Sequence, residues 1–207
     1  MHTLIVTYLP RMPASNTARL LEHFREAIAG RTTTDVLDLV ASPPPRFDER
    51  SMNAYFDHHY AGKEISPAAA ESLQPFQTLA RQFKSADVVA MAFPMHNFSF
   101  PGVVKCYFDA VIFRDETWSA DENGYHGHMA GKKAVTLSAS GGVYLDPPNP
   151  WDHLTSLAKV ELQFLGFSEI ETVLAEGMNK DKDFIEKSFA RCFTQIDSLA
   201  RRWYPKK

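Results

Sequence analysis

Cysteine is nearly missing from this chain, with two in 207 residues. A disulfide scaffold needs more than that, so an apolar core has to hold the fold. Cys106 and Cys192 both fall on apolar faces of predicted helices, which reads them as small buried hydrophobes rather than a disulfide or metal pair. Neither sign of charge is in excess, since 22 Lys plus Arg stand against 25 Asp plus Glu. Nucleic-acid binding, which needs a basic surface to neutralise phosphates, has no support. Long apolar runs are missing as well, and the opening MHTLIVTYLP has neither a basic leader nor a small-residue cleavage site. The expectation is a cytoplasmic protein without a membrane span. Metal-ligand spacing is also lacking. His58 and His59 are adjacent, so they point to different sides of a helix, and no acidic or cysteine partner has ligand spacing; they read as solvated surface, and no metal is expected.

What the chain does have is an alternation of short apolar runs and amphipathic stretches, in a composition that is 44% hydrophobic and therefore able to bury one sizeable core. A single domain over 1–207 is expected, with side excursions at about 42–66 and 114–132. Residues 3–8, 35–39, 88–93, 134–137 and 170–175 read as strands, and 88–93 is apolar almost throughout, as in a parallel sheet covered on both faces. Between them, Leu20, Leu21, Phe24 and Ile28 recur at helical spacing up to Gly30. Leu73, Phe76, Ala80 and Phe83, then Val104, Phe108 and Val111, then Leu154, Ala158 and Leu162 do the same, and Phe189, Ile196 and Trp203 line a long final helix. Lys105 and Asp109 form an i,i+4 ion pair. Five repeats of strand and helix predict a doubly wound α/β fold with helices on both faces, and the flavodoxin-like strand order 2-1-3-4-5 suits this length.

Ligands of such sheets bind at the carboxyl ends of the strands. Three loops meet there. The first holds Ser15, Asn16 and Thr17 at a helix start, where free N–H groups and hydroxyls suit a phosphate, although simple capping accounts for Ser15 equally well. The second is Met95, His96, Asn97 and Phe98. The third runs from Ser138 to Gly142, where Gly141-Gly142 permits either close backbone approach to a ligand or a tight turn. Trp118, in the 114–132 excursion with its hairpin-like Asn123-Gly124, reads as a core cap or interface residue.

The run Pro94-Met95-His96-Asn97-Phe98, followed by Pro101, Lys105, Tyr107, Phe108 and Asp109, resembles the signature of the FMN-dependent NADH azoreductases and related NAD(P)H quinone reductases. Ser15-Asn16, Glu122-Asn123-Gly124, Gly131-Lys132-Lys133-Ala134, Gly141-Gly142, Phe164-Leu165-Gly166-Phe167 and Ala175-Glu176-Gly177 fall where that family has landmarks, over nearly the whole chain. The resemblance implies a flavodoxin-like homodimer that holds FMN at the subunit interface. It further implies a ping-pong transfer of two electrons from NADH or NADPH to quinones or azo compounds. Ser15, Asn16 and Thr17 would then hold the phosphate; Met95, His96, Asn97, Phe98, Ser138, Gly141, Gly142 and Tyr144 would meet the flavin ring. Asn97 and Tyr144 are the groups placed to tune its electronics, and Trp118 and Phe164 lie on the substrate side. His96 stands where the family usually has tyrosine, Ser140 where many members have arginine, and Tyr144 where histidine is common. Pro10 and Pro13 remove two N–H donors from the first loop, with Arg11 beside them as a compensating charge. A FAD-type quinone reductase or flavin reductase is the alternative enzyme reading. A flavodoxin-like electron carrier is the alternative of a different class, and the near-neutral charge and long 114–132 excursion count against it.

Overall fold

The structure is a computed structural model and describes residues 1–145 and 148–205. The first half runs β1 (His2–Thr7), α1 (Asn16–Ile28), β2 (Thr33–Asp38), α2 (Glu49–His59), α3 (Pro67–Ser85), β3 (Val88–Ala92) and α4 (Gly102–Val111). The second runs β4 (Trp118–Asp121), β5 (Gly124–Gly127), β6 (Lys133–Ala139), α5 (His153–Phe164), β7 (Glu169–Ala175) and α6 (Lys182–Trp203). Five strands pair in parallel in the order β2-β1-β3-β6-β7. This is the predicted 2-1-3-4-5 order, because β4 and β5 stand apart as an antiparallel hairpin within the 114–132 excursion.

Alternation along the strands divides the core in two. Leu4, Val6, Val89, Met91 and Ala134 pack against Phe83 of α3, Val104 and Phe108 of α4, and Leu154, Ala158 and Leu162 of α5. Ile5, Val88, Ala90, Val135 and Leu137 face Leu20 and Phe24 of α1 and Phe189, Cys192, Ile196 and Trp203 of α6. All five residues of β3 are buried, as a strand covered on both sides requires. Thr7 of β1 lies beside Ala92 of β3, and Ala92 beside Leu137 of β6, so the loops after these strands leave the sheet along one edge.

Three expectations change. The second strand covers 33–38 rather than 35–39 and is largely exposed, because a polar strand at the sheet edge has only one neighbour to bury it. Cys106 is half-buried rather than buried, since the face of α4 that carries it, with Asp109, borders an open groove beside α2 and the 45–47 segment. His59 is not solvated. Its side chain is 3% exposed and bonds Asp115 at 2.9 Å. The 42–66 excursion folds over α3 and α4, with Phe47 stacked on Phe76 at 4.2 Å and Tyr55 edge-on to Phe113 at 5.1 Å, and it carries His59 in with those rings. Among the described residues no helix is long and apolar enough to cross a membrane.

Candidate active site

A cavity of about 410 Å³ opens where the loops after β1, β3 and β6 converge. The first loop contributes Pro10, Arg11, Ala14, Ser15, Asn16 and Thr17; the second Pro94, Met95 and His96; the third Ala139, Ser140 and Gly141. A fourth segment, Met178 and Asn179 after β7, completes the wall. A larger cavity of about 570 Å³ lies between the 45–47 segment, α2 and α4, but it has no helix start and no glycine turn facing it. The edge cavity is distinguished by its donors, not its size.

The donors begin at α1. Ser15 caps the helix, its Oγ accepting from Ala18 N–H at 3.3 Å. Among the described residues no protein acceptor takes the N–H of Asn16 or Thr17, and Thr17 Oγ1 is buried with no hydrogen-bond partner. Buried hydroxyls are nearly always satisfied, so one left open at a helix start, on the wall of a cavity, marks where an acceptor belongs. Arg11 supplies the one Lys or Arg among the lining residues, so the cavity carries positive potential on the side of the helix dipole.

The second loop is a tight turn. His96 and Ser99 exchange both N–H···O bonds at 3.0 Å, and the two residues between them, Asn97 and Phe98, have φ of 45° and 71°. Left-handed backbone is tolerable for asparagine and costly for phenylalanine. The conformation leaves the N–H groups of Asn97 and Phe98 without protein acceptors among the described residues. Phe98 itself turns outward, edge-on to Trp151 at 5.3 Å, and the His96 ring meets Tyr8 at 6.2 Å.

In the third loop the side chain of Asn179 lies directly over Gly141, 2.5 Å from where a Cβ would be, and the Tyr144 ring folds back onto Gly142. Larger residues at either glycine would displace these neighbours. Ser138 is buried inside β6 with its hydroxyl unpartnered, and it does not reach the cavity. Neither does Tyr144 line it. Trp118 and Phe164 come together, 5.4 Å apart with Tyr125 against both, where the hairpin seats on the end of α5. Gly127 lets this happen, because a Cβ there would come within 2.2 Å of the Leu165 backbone. These rings are on the wall of no cavity shared with Thr17.

Of the predicted residues, then, the structure gathers Ser15, Asn16, Thr17, Met95, His96 and Gly141 around one cavity. Asn97, Phe98, Gly142 and Tyr144 sit in the same loops without lining it. Met178 and Asn179 went unread in the sequence, although Ala175-Glu176-Gly177 marks the end of a strand that leaves the same sheet edge.

The family model described as the flavodoxin-like fold matches residues 1–199. This chain belongs to that family. Among its relatives is an FMN-dependent NADH:quinone oxidoreductase of Shewanella loihica, 32% identical over 187 residues that cover 89% of this chain and 91% of the relative. Another, from Pseudomonas fluorescens, is 29% identical over 184 residues and 89% of each chain. In fold, the solved structure of an FMN-dependent NADH-azoreductase from Bacillus anthracis, in complex with FMN, is similar, superposing with a TM-score of 0.85 at 23% identity and covering 98% of this chain and 99% of that one.

Proposed function

We propose that this protein is an FMN-dependent oxidoreductase that carries two electrons from NADH or NADPH to quinones or azo compounds. The observation that carries the reading is the unpartnered Thr17 hydroxyl beside the free N–H groups of Asn16 and Thr17, on the cavity wall. That donor set fits the terminal phosphate of FMN: a helix start, two hydroxyl residues and one nearby arginine, with no carboxylate among the lining residues to repel it. Relatives that cover nine-tenths of the chain bear the name FMN-dependent NADH:quinone oxidoreductase.

FMN, when bound, would supply reversible two-electron chemistry between the nicotinamide and the acceptor, in the ping-pong order. The protein's part is to bind, orient and exclude water. Ser15, Asn16 and Thr17 hold the phosphate, with Arg11 offsetting its charge. Main-chain groups of Met95, His96, Asn97 and Phe98, together with Gly141-Gly142, would hold the ring, with Met95, His96 and Gly141 on the cavity wall itself. The Asn97 amide and the Tyr144 hydroxyl would be the side-chain donors that favour negative charge on the ring. Ser138 keeps a supporting place at the end of β6. Trp118 and Phe164 belong to the acceptor side, and because they line no part of their own chain's cavity, that role is assigned within a homodimer. The reading includes a single domain in the cytoplasm.

Purified protein should be yellow and should bleach with NADH or NADPH, then recover colour on adding a quinone. Colourless protein that takes up no FMN overturns the proposal. Mass analysis of the released cofactor separates FMN from FAD, and light scattering separates dimer from monomer.

A further inference from the structure

The third loop is held from below by a carboxylate that lies outside the cavity. Glu176, at the end of β7, is 2% exposed. Its Oε2 accepts the N–H of Tyr144 at 2.7 Å and of Leu145 at 2.9 Å, and its Oε1 accepts Arg191 Nη1 of α6 at 3.1 Å. Arg191 is itself anchored, with Nη2 donating to Leu174 O at 3.1 Å, and Ser188 Oγ accepts the N–H of Glu176. From the same turn, the N–H groups of Gly177, Met178 and Asn179 donate to the carbonyls of Gly142, Ser140 and Gly141. The carbonyl side of Ser140–Gly142 is therefore tied down, and Tyr144 and Leu145 are tied through their N–H groups. Among the described residues the N–H groups of Gly141 and Gly142 are left without protein acceptors.

A buried carboxylate is held in place only by full satisfaction, and this one has two amides and a guanidinium. Free N–H groups on one stretch of backbone and a charged latch on the stretch beside it are a means of aiming the loop. We propose that Glu176 is a positioning residue: it fixes the path of Gly141–Leu145 so that the Gly141 and Gly142 N–H groups face the flavin ring, while the phosphate is held independently by the α1 start. This role rests on the flavoprotein reading given above.

The two halves of the ligand separate experimentally, because riboflavin has the ring and lacks the phosphate. In E176Q one amide NH₂ replaces an acceptor, so either the loop or Arg191 loses its partner. Titrating apoprotein, we expect E176Q to weaken FMN and riboflavin by the same factor, about tenfold for a charge-assisted bond lost. T17V should weaken FMN alone. In the apoprotein, amide hydrogen exchange should speed up in the segment through Tyr144 and Leu145 and not in β1 or β3, which a general loss of stability would also move. R191Q, at a half-exposed site, should act in the same direction more weakly, and it carries the test if E176Q does not fold. Unchanged exchange at Tyr144 and Leu145, or a loss for FMN that spares riboflavin, overturns the role. Wild-type apoprotein that takes up neither flavin overturns the flavoprotein reading and this role with it.

Discussion

Lys105 Nζ lies 3.3 Å from Glu161 Oε1 while also bonding Asp109 one turn along its own helix, so one ammonium serves two carboxylates of unequal burial. The Glu161 side chain is 10% exposed and its Oε2 has no partner. Burial pushes Glu161 up to about 7, more than the Lys105 charge pulls it down. For Lys105, burial acts to lower the pKa but is outweighed by the bond to Asp109 and the charge of Glu161, so it ends raised. A carboxyl whose folded pKa lies above its unfolded value of 4.5 stabilises the fold fully below 4.5 and loses that contribution as pH rises through about 7. The gap corresponds to roughly 3 kcal/mol. E161Q removes the titration and keeps the shape. Urea unfolding at pH 8 should find E161Q more stable than wild type by about 1–3 kcal/mol; a less stable E161Q would mean an ionised, well-paired Glu161.

His59 acts in the opposite direction. Burial lowers its pKa, and the bond to Asp115 raises it by less. Its faces meet Tyr55 at 4.6 Å and Phe113 at 5.5 Å. A histidine depressed below its unfolded 6.5 stabilises the fold above that value and loses the contribution as pH falls toward its folded pKa. In wild type the two slopes oppose each other near neutrality. Removing Glu161 should unmask the other, so the urea midpoint of E161Q should rise between pH 5 and 7, and E161Q/H59Q should not show that rise.

These two groups also show what a sequence does not disclose. The strands, the helices and their order follow from apolar spacing, because the period of a buried stripe is written locally; β3 and α1 are plain in the residues themselves. The α1 start on the cavity wall was equally legible, since Ser15-Asn16-Thr17 closes the short loop after the first strand and opens an amphipathic run. His59 was misread because adjacent residues on a helix say nothing about which one an incoming excursion will cover. The contacts of Asn179 and Glu176 to the third loop went unread for a related reason. Their places depend on β7 lying next to β6 at one edge, a pairing of residues 36 apart in sequence that sets Ala175 beside Ala139.

Thr17 offers a test in which stability and function move apart. Its hydroxyl is buried and has no partner within the protein, which costs free energy unless something accepts or donates there. Valine has nearly the same shape without that cost. T17V apoprotein should be more stable than wild type by about 1 kcal/mol, and it should bind FMN about tenfold or more weakly. Thermal unfolding with and without added FMN measures both: T17V should melt higher alone and gain less from the cofactor. A variant that melts lower alone would show that Thr17 is already satisfied within the protein.

Phe98 tests whether the second loop keeps its shape before any ligand arrives. At φ 71° the backbone lies in a region that costs an ordinary residue about 1–2 kcal/mol, and Phe98, 42% exposed, recovers little by packing. Comparing F98A with F98G removes the ring from both and leaves only the Cβ and the freedom of the backbone. In an ordinary loop glycine is the less stable of the two, because the unfolded chain gains entropy. Here the order should invert, with F98G more stable than F98A by about 1 kcal/mol in urea unfolding of the apoprotein. The inversion requires that the turn from His96 to Ser99 be left-handed in the free protein, so that its Asn97 and Phe98 N–H groups already face outward from the turn. If F98A is instead the more stable, the turn adopts that shape only when a ligand pulls it there, and binding at this loop carries the cost.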